Sequence, residues 1–175
     1  MIRILRNRLA LSTVITTLII LVVSILLASV LTYFAINVVS TRVQEESLSV
    51  SNQHIWVDQT TGNAVGAMTI TNTGGRDVVL NKLAVRGQQC AWANVYSNKT
   101  AISSDITYVA IPDTSLTGNF TQALGKLVLP SGSAIGIIIT SPDSIAINDI
   151  GITVGIAVHS AQAVYYSETN IQANP

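Results

Sequence analysis

Two hydrophobic patterns divide the chain. Arg8 and Arg42 enclose 33 positions without a charged residue, Leu9 to Thr41, and nearly all are apolar or small. This run is far longer than the h-region of a secretory signal, and a membrane-spanning helix needs only about 20 apolar residues. Its Val, Ile and Thr would also suit strands in water. In lipid, a lone segment must satisfy its own backbone hydrogen bonds, and helix is the form that does so. No Pro or Gly interrupts residues 1–61. The pattern therefore predicts one helix over 11–47, roughly 55 Å long at about 1.5 Å per residue. A hydrocarbon core is about 30 Å thick, so the excess projects out of the bilayer toward the C-terminal part of the chain.

From Leu48 the period changes to two. Ser49 and Ser51 alternate with Leu48 and Val50, and Ile55-Trp56-Val57 comes next. Further strand-like runs are 64–71, 77–86, 91–96, 106–111, 126–129, 133–140 and 150–166, rich in β-branched or aromatic residues. Turn formers separate them: Thr61-Gly62-Asn63, Asn72-Thr73-Gly74-Gly75, Pro112-Asp113, Thr117-Gly118-Asn119, Pro130-Ser131-Gly132 and Ser141-Pro142-Asp143. Short strands at this spacing predict a sandwich or barrel. The last stretch, 150–171, is long for a strand pair, with Gly151 and Gly155 marking bulges or close packing. Gly, Thr, His159, Ser160 and Gln162 interrupt it, which argues against a second span. The expected fold is α+β: a long N-terminal hydrophobic helix, then an antiparallel, immunoglobulin-like β-sandwich head over 48–175.

Charge orients the helix. Arg3, Arg6 and Arg8 precede it without an acid among them, while Arg42, Glu45 and Glu46 lie beyond it. Three basic residues against one place the N-terminus in the cytosol and residues beyond about 48 outside. Only 10% of the 175 residues are charged, 49% are hydrophobic, and the formal net charge is zero. Mean hydropathy is +0.49. This balance argues against a cytosolic enzyme and against a nucleic-acid binder that lives on phosphate contacts.

Candidate chemistry is sparse. There is no Gly-rich phosphate loop, nucleophile elbow or paired His–Glu metal motif, so neither catalysis, cofactor nor metal is expected. His54 and His159 sit in strand-like runs; Asp143, Asn148 and Asp149 suit a turn without needing a cation. Cys90 is the single cysteine, which excludes an intrachain disulfide. A small buried hydrophobe is its expected role, with an intersubunit bridge as the alternative. Within the helix, Ser24, Ala28 and Thr32 fall four apart and Ala35 extends them, a strip of small residues of the kind that lets helix backbones approach closely. Two sequons, Asn98-Lys99-Thr100 and Asn119-Phe120-Thr121, lie beyond the helix and are candidate N-glycosylation sites.

A short basic leader, a long uninterrupted helix and a β domain together resemble the archaeal type IV filament superfamily, the adhesive pilins and archaellins. The resemblance is carried by Arg6-Asn7-Arg8-Leu9-Ala10-Leu11-Ser12-Thr13 at the leader junction and Thr17-Leu18-Ile19-Ile20-Leu21-Val22-Val23 in the helix. Ala28-Ser29-Val30-Leu31-Thr32-Tyr33-Phe34-Ala35-Ile36-Asn37 looks like archaellin helices, and Ile70-Thr71-Asn72-Thr73-Gly74-Gly75 with 77–87 looks like heads of archaeal pilin-like proteins. It covers the first 50 residues well and the head loosely.

The resemblance implies a leader, 1–10, removed by a membrane prepilin peptidase that cuts after a small residue. Ala10 fits, leaving Leu11 as the mature terminus. Such leaders usually carry a charge where this chain has Leu9, so cleavage after Arg8 stays open. The acidic fifth residue of bacterial pilins has no counterpart here, as in archaeal members. Losing Arg3, Arg6 and Arg8 leaves 9 − 3 = 6 basic residues against 9 acidic, formally −3. The implied function is a structural subunit that waits in the membrane and polymerises through its helix into a filament for adhesion or motility. Implied partners are copies of itself, an assembly ATPase and a platform protein. A permanently anchored archaellum stator or surface-layer-binding protein would combine the same two parts.

Overall fold

The computed structural model of the protein describes residues 2–43, 45–99, 106, 120–142 and 144–174. It divides into two compact units, Met1–Val43 and Gln44–Pro175.

The first unit is one helix, α1 (Ile2–Val43), of 42 residues. It starts nine residues before the expected helix and stops four residues short of it. At the N-terminal end no Pro or Gly separates residues 2–10 from the apolar run, so the backbone continues without a break. At the other end, the Ser47 carbonyl accepts from the Thr73 and Gly74 N–H groups within the second unit, and a strand starts at Leu48. Within α1, Leu11–Thr41 is long and apolar enough to cross a membrane. Its hydroxyls bond back to carbonyls of the preceding turn: Thr16 to Ser12, Ser24 to Ile20, Ser29 to Ile25, Thr32 to Ala28 and Thr41 to Asn37, at 2.7–2.9 Å. These polar groups therefore ask nothing of the surroundings, as an apolar solvent requires.

The second unit is a sandwich-like, mostly antiparallel β head. Its strands are β1 (Leu48–Val57), β2 (Ala64–Asn72), β3 (Val78–Leu80), β4 (Lys82–Val85), β5 (Gln88–Gln89), β6 (Val95–Asn98), β7 (Thr121–Gln122), β8 (Leu127–Leu129), β9 (Ala134–Thr140), β10 (Thr153–His159) and β11 (Val164–Ala173). Nine pair in the order β5-β4-β10-β11-β1-β2-β9-β6-β7, and β3 pairs with β8. Strand β11 joins the two halves. Its first seven residues run antiparallel to β10, and residues 171–173 run parallel to Ile55, Trp56 and Val57 of β1. That parallel pair is the departure from an all-antiparallel expectation.

The main core lies between these layers. Strand β9 gives Ile135, Ile137 and Ile139; β10 gives Val154, Ile156 and Val158; β4 gives Leu83 and Val85. The opposite face of the β1-β2-β9-β6 half carries a second apolar cluster of Trp56, Val65, Ala67 and Ile138, packed with Ile106, Tyr96 and Phe120. Strands β2 and β9 are therefore buried on both faces, which is why they are nearly continuous apolar runs. A bulge between Ser51 and His54, with Asn52 at φ 52°, changes the parity of β1. Leu48 and Val50 face the main core before it, and Ile55 and Val57 do so after it.

Two expected strands are revised. The run 77–86 splits at Asn81, whose N–H donates to the His159 carbonyl, so β3 pairs with β8 and β4 with β10. In 91–96, Trp92–Asn94 forms a 3-10 turn and the strand starts at Val95. The run 106–111 lies outside the described residues except for buried Ile106. The long C-terminal stretch is the β10–β11 hairpin. A Cβ on Gly155 would fall within the Tyr166 ring that lies over it, which is the close packing expected there.

Candidate assembly surface

The small residues of α1 gather on one side. At about 100° per residue, Ser24, Ala28, Thr32 and Ala35 share an arc of roughly 80°. With Ser24 and Thr32 bonded to their own helix, the strip presents methyl-sized bumps and no donor in search of a partner. Large apolar side chains surround it. From Leu11 to Val39 they are exposed, from 45% at Val22 to 71% at Tyr33. A surface of this kind is stable only in lipid or against other apolar protein. Ala10 and Leu11, the expected leader junction, fall inside continuous helix.

A second arrangement stands where the head begins. Asn72, fully buried at the end of β2, donates from Nδ2 to the Arg76 carbonyl at 2.8 Å and the Leu129 carbonyl at 3.1 Å. Its Oδ1 accepts from the Gly74 N–H at 3.0 Å. One amide thus holds the 73–77 turn against the end of β8. The turn in turn holds Ser47. The Thr73 and Gly74 N–H groups donate to the Ser47 carbonyl at 2.9 and 3.1 Å, and the Ser47 and Thr73 hydroxyls lie 2.9 Å apart. From β11, the Tyr165 hydroxyl donates to the Glu46 carbonyl at 3.2 Å. Burial, then the Glu46 charge, pushes the Tyr165 phenol above its usual value, keeping it a neutral donor. The sequence marked Asn72-Thr73-Gly74-Gly75 only as a turn. Nothing in its pattern signalled that the Asn is buried or that the turn grips residues 45–47.

The remaining candidates are scattered. Asn98 is buried at the end of β6, only 8% exposed and paired in register with Gly136, so its amide is poorly placed to carry a glycan. Asn119 and Thr100 lie outside the described residues. Cys90 packs in the main core beside β4, as expected of a small hydrophobe. His54 stacks on Trp56, with ring centroids 5.1 Å apart. Asp149 accepts from the Ala146 N–H at 2.9 Å and pairs with Arg86 at 3.0 Å; Asp143 lies outside the described residues. Among the described residues no group of three His, Cys, Asp or Glu is placed to hold a metal ion.

No protein-family model and no curated protein matches the chain. Among solved structures, it is similar to an apo PmoF2 PCuAC domain, at 11% identity and a TM-score of 0.45, covering 74% of this chain and 95% of that one. It is also similar to the ligand-binding region of serine-glutamate repeat protein A of Enterococcus faecium. There the identity is 16% and the TM-score 0.31, over 75% of this chain and 99% of that one.

Proposed function

We propose that the chain is a structural subunit of an archaeal surface filament, a type IV pilus or an archaellum, rather than an enzyme. The observation that carries this reading is a helix exposed and apolar on all sides from Leu11 to Val39, in a chain whose head has a complete core of its own. In the precursor the helix lies in the membrane, N-terminus cytosolic, head outside. A prepilin peptidase removes 1–10, and an assembly ATPase and platform protein drive the helix out of lipid into a bundle of its copies.

Moving apolar surface from lipid to protein yields little hydrophobic gain, so packing must supply the difference, and the Ser24–Ala28–Thr32 strip with β-branched neighbours suits that. Return to water is another matter. A helix of this length covers on the order of 2,000 Å², or tens of kcal/mol at about 25 cal/mol per Å². Filaments should therefore resist dissociation, and the Ser- and Thr-rich heads would coat them for adhesion or motility. Imaging of sheared surface filaments, with mass identification of their subunit, tests the reading. Filaments built of this chain support it; recovery of the chain solely as an uncut membrane protein would favour a permanent anchor instead.

A further inference from the structure

We propose that Asn72, Thr73 and Gly74 form a latch that holds residues 45–47 on the head and fixes where the chain leaves it, with Gly74 the position on which closure depends. The hydrogen bonds fall on the Ser47 carbonyl, and the Glu45 carbonyl oxygen lies against Gly74. The latch extends the β1–β2 ladder. Leu48 pairs with Asn72 at the end of that ladder, and the next two N–H groups, of Thr73 and Gly74, turn onto one carbonyl, that of Ser47.

Gly74 is suited to this by size rather than by torsion. Its φ lies outside the left-handed region, so torsion alone does not require glycine there. The neighbouring strap would not. A Cβ at 74 would stand 2.6 Å from the Glu45 carbonyl oxygen and 2.7 Å from the Ser47 nitrogen. Both are backbone atoms and cannot rotate away. The turn is held independently of the strap, through Asn72 and through the Ser131 hydroxyl, which donates to the Gly74 carbonyl at 2.7 Å. A methyl group at 74 therefore displaces residues 45–47, while its contact with the Asn72 Oδ1, at 3.3 Å, asks only a few tenths of an ångström of the turn. The inference holds whether α1 ends in a filament or stays in a membrane.

Hydrogen exchange on the full chain in detergent micelles tests it. Gly74→Ala should speed exchange at least about tenfold in peptides covering 45–48 and 73–74, through local opening. The β10–β11 hairpin should exchange as before. Thr73→Val keeps the main-chain donors but loses the hydroxyl contact with Ser47, and should give a smaller increase confined to the same peptides. Unchanged exchange at 45–48 in Gly74→Ala would overturn the proposal. So would acceleration spread equally over β10 and β11, because position 74 would then support the whole head rather than a separable strap.

Discussion

A carboxylate at position 28 would enter the narrow strip where helices are proposed to meet. Ala28→Asp adds bulk at the point of closest approach and a charge with several kcal/mol of desolvation cost. Filament yield should fall to nothing while the membrane-inserted precursor still accumulates, measured by shearing and by immunoblot of both fractions. Normal yield would remove the strip from the packing surface. Asn72→Ala acts on the head instead. It removes the donors to the Arg76 and Leu129 carbonyls and one of the two acceptors of the Gly74 N–H, which keeps the Ser47 carbonyl, and should cost about 2–4 kcal/mol, read from the denaturant midpoint. Asp149 makes the pH dependence explicit. The Ala146 N–H, then Arg86, holds its carboxyl below the usual value. A depressed pKa contributes stability above the unfolded-state value and loses it as pH falls through the folded one. The loss is thus confined below the ordinary carboxylate range, about 3.9. NMR titration should find Asp149 titrating below that value, and Asp149→Asn should remove this acid-side fall, so that its stability declines less than the parent's below that pH.

At the scale of elements, the period of the hydrophobic pattern was enough to separate α1 from the strands. It placed β2 and β9 closely, because buried β-branched runs bounded by Gly and Pro leave few alternatives, whereas the run read over 150–166 stopped short of the end of β11 at Ala173, a strand that is mostly exposed or half-buried. It could not locate events decided by tertiary partners. The break at Asn81 exists because two layers claim the residues on either side of it. The expected helix reached Ser47, but the Ser47 carbonyl is taken by Thr73 and Gly74, far along the chain. The helix strip was legible from a spacing of four, whereas the latch needed distant residues brought together. The same logic sets where the head can be cut free. A chain starting at Gln44 keeps the latch and the β1–β2 ladder whole, and should be soluble, monomeric and β-type by circular dichroism. Starting at Leu48 removes the strap and leaves β1 with an open end, so that chain should be less stable and more prone to associate. Equal stability of the two would mean that residues 45–47 add nothing to the head.

For the whole molecule the question is which solvent the helix finally meets. A helix without a polar face is insoluble alone; on the proposed reading the full chain ends in contact with copies of itself, on the alternative in lipid, and the two outcomes leave different termini. If the chain polymerises, Arg3, Arg6 and Arg8 cannot enter a dry bundle without partners, and residues 1–10 should be gone. N-terminal sequencing of detergent-free surface filaments should then begin at Leu11, or at Leu9 if the cut comes after Arg8, with the subunit formally three charges more negative than the precursor. If the chain stays as an anchor, Met1 persists, the arginines remain in the cytosolic interface, and the protein is recovered only with detergent. A filament whose main subunit still carried Met1 would defeat the proposed route from membrane to fibre. A head starting at Gln44 that polymerised into native-like fibres would move the driving force from the helices to the heads, and the apolar surface of α1 would need another explanation.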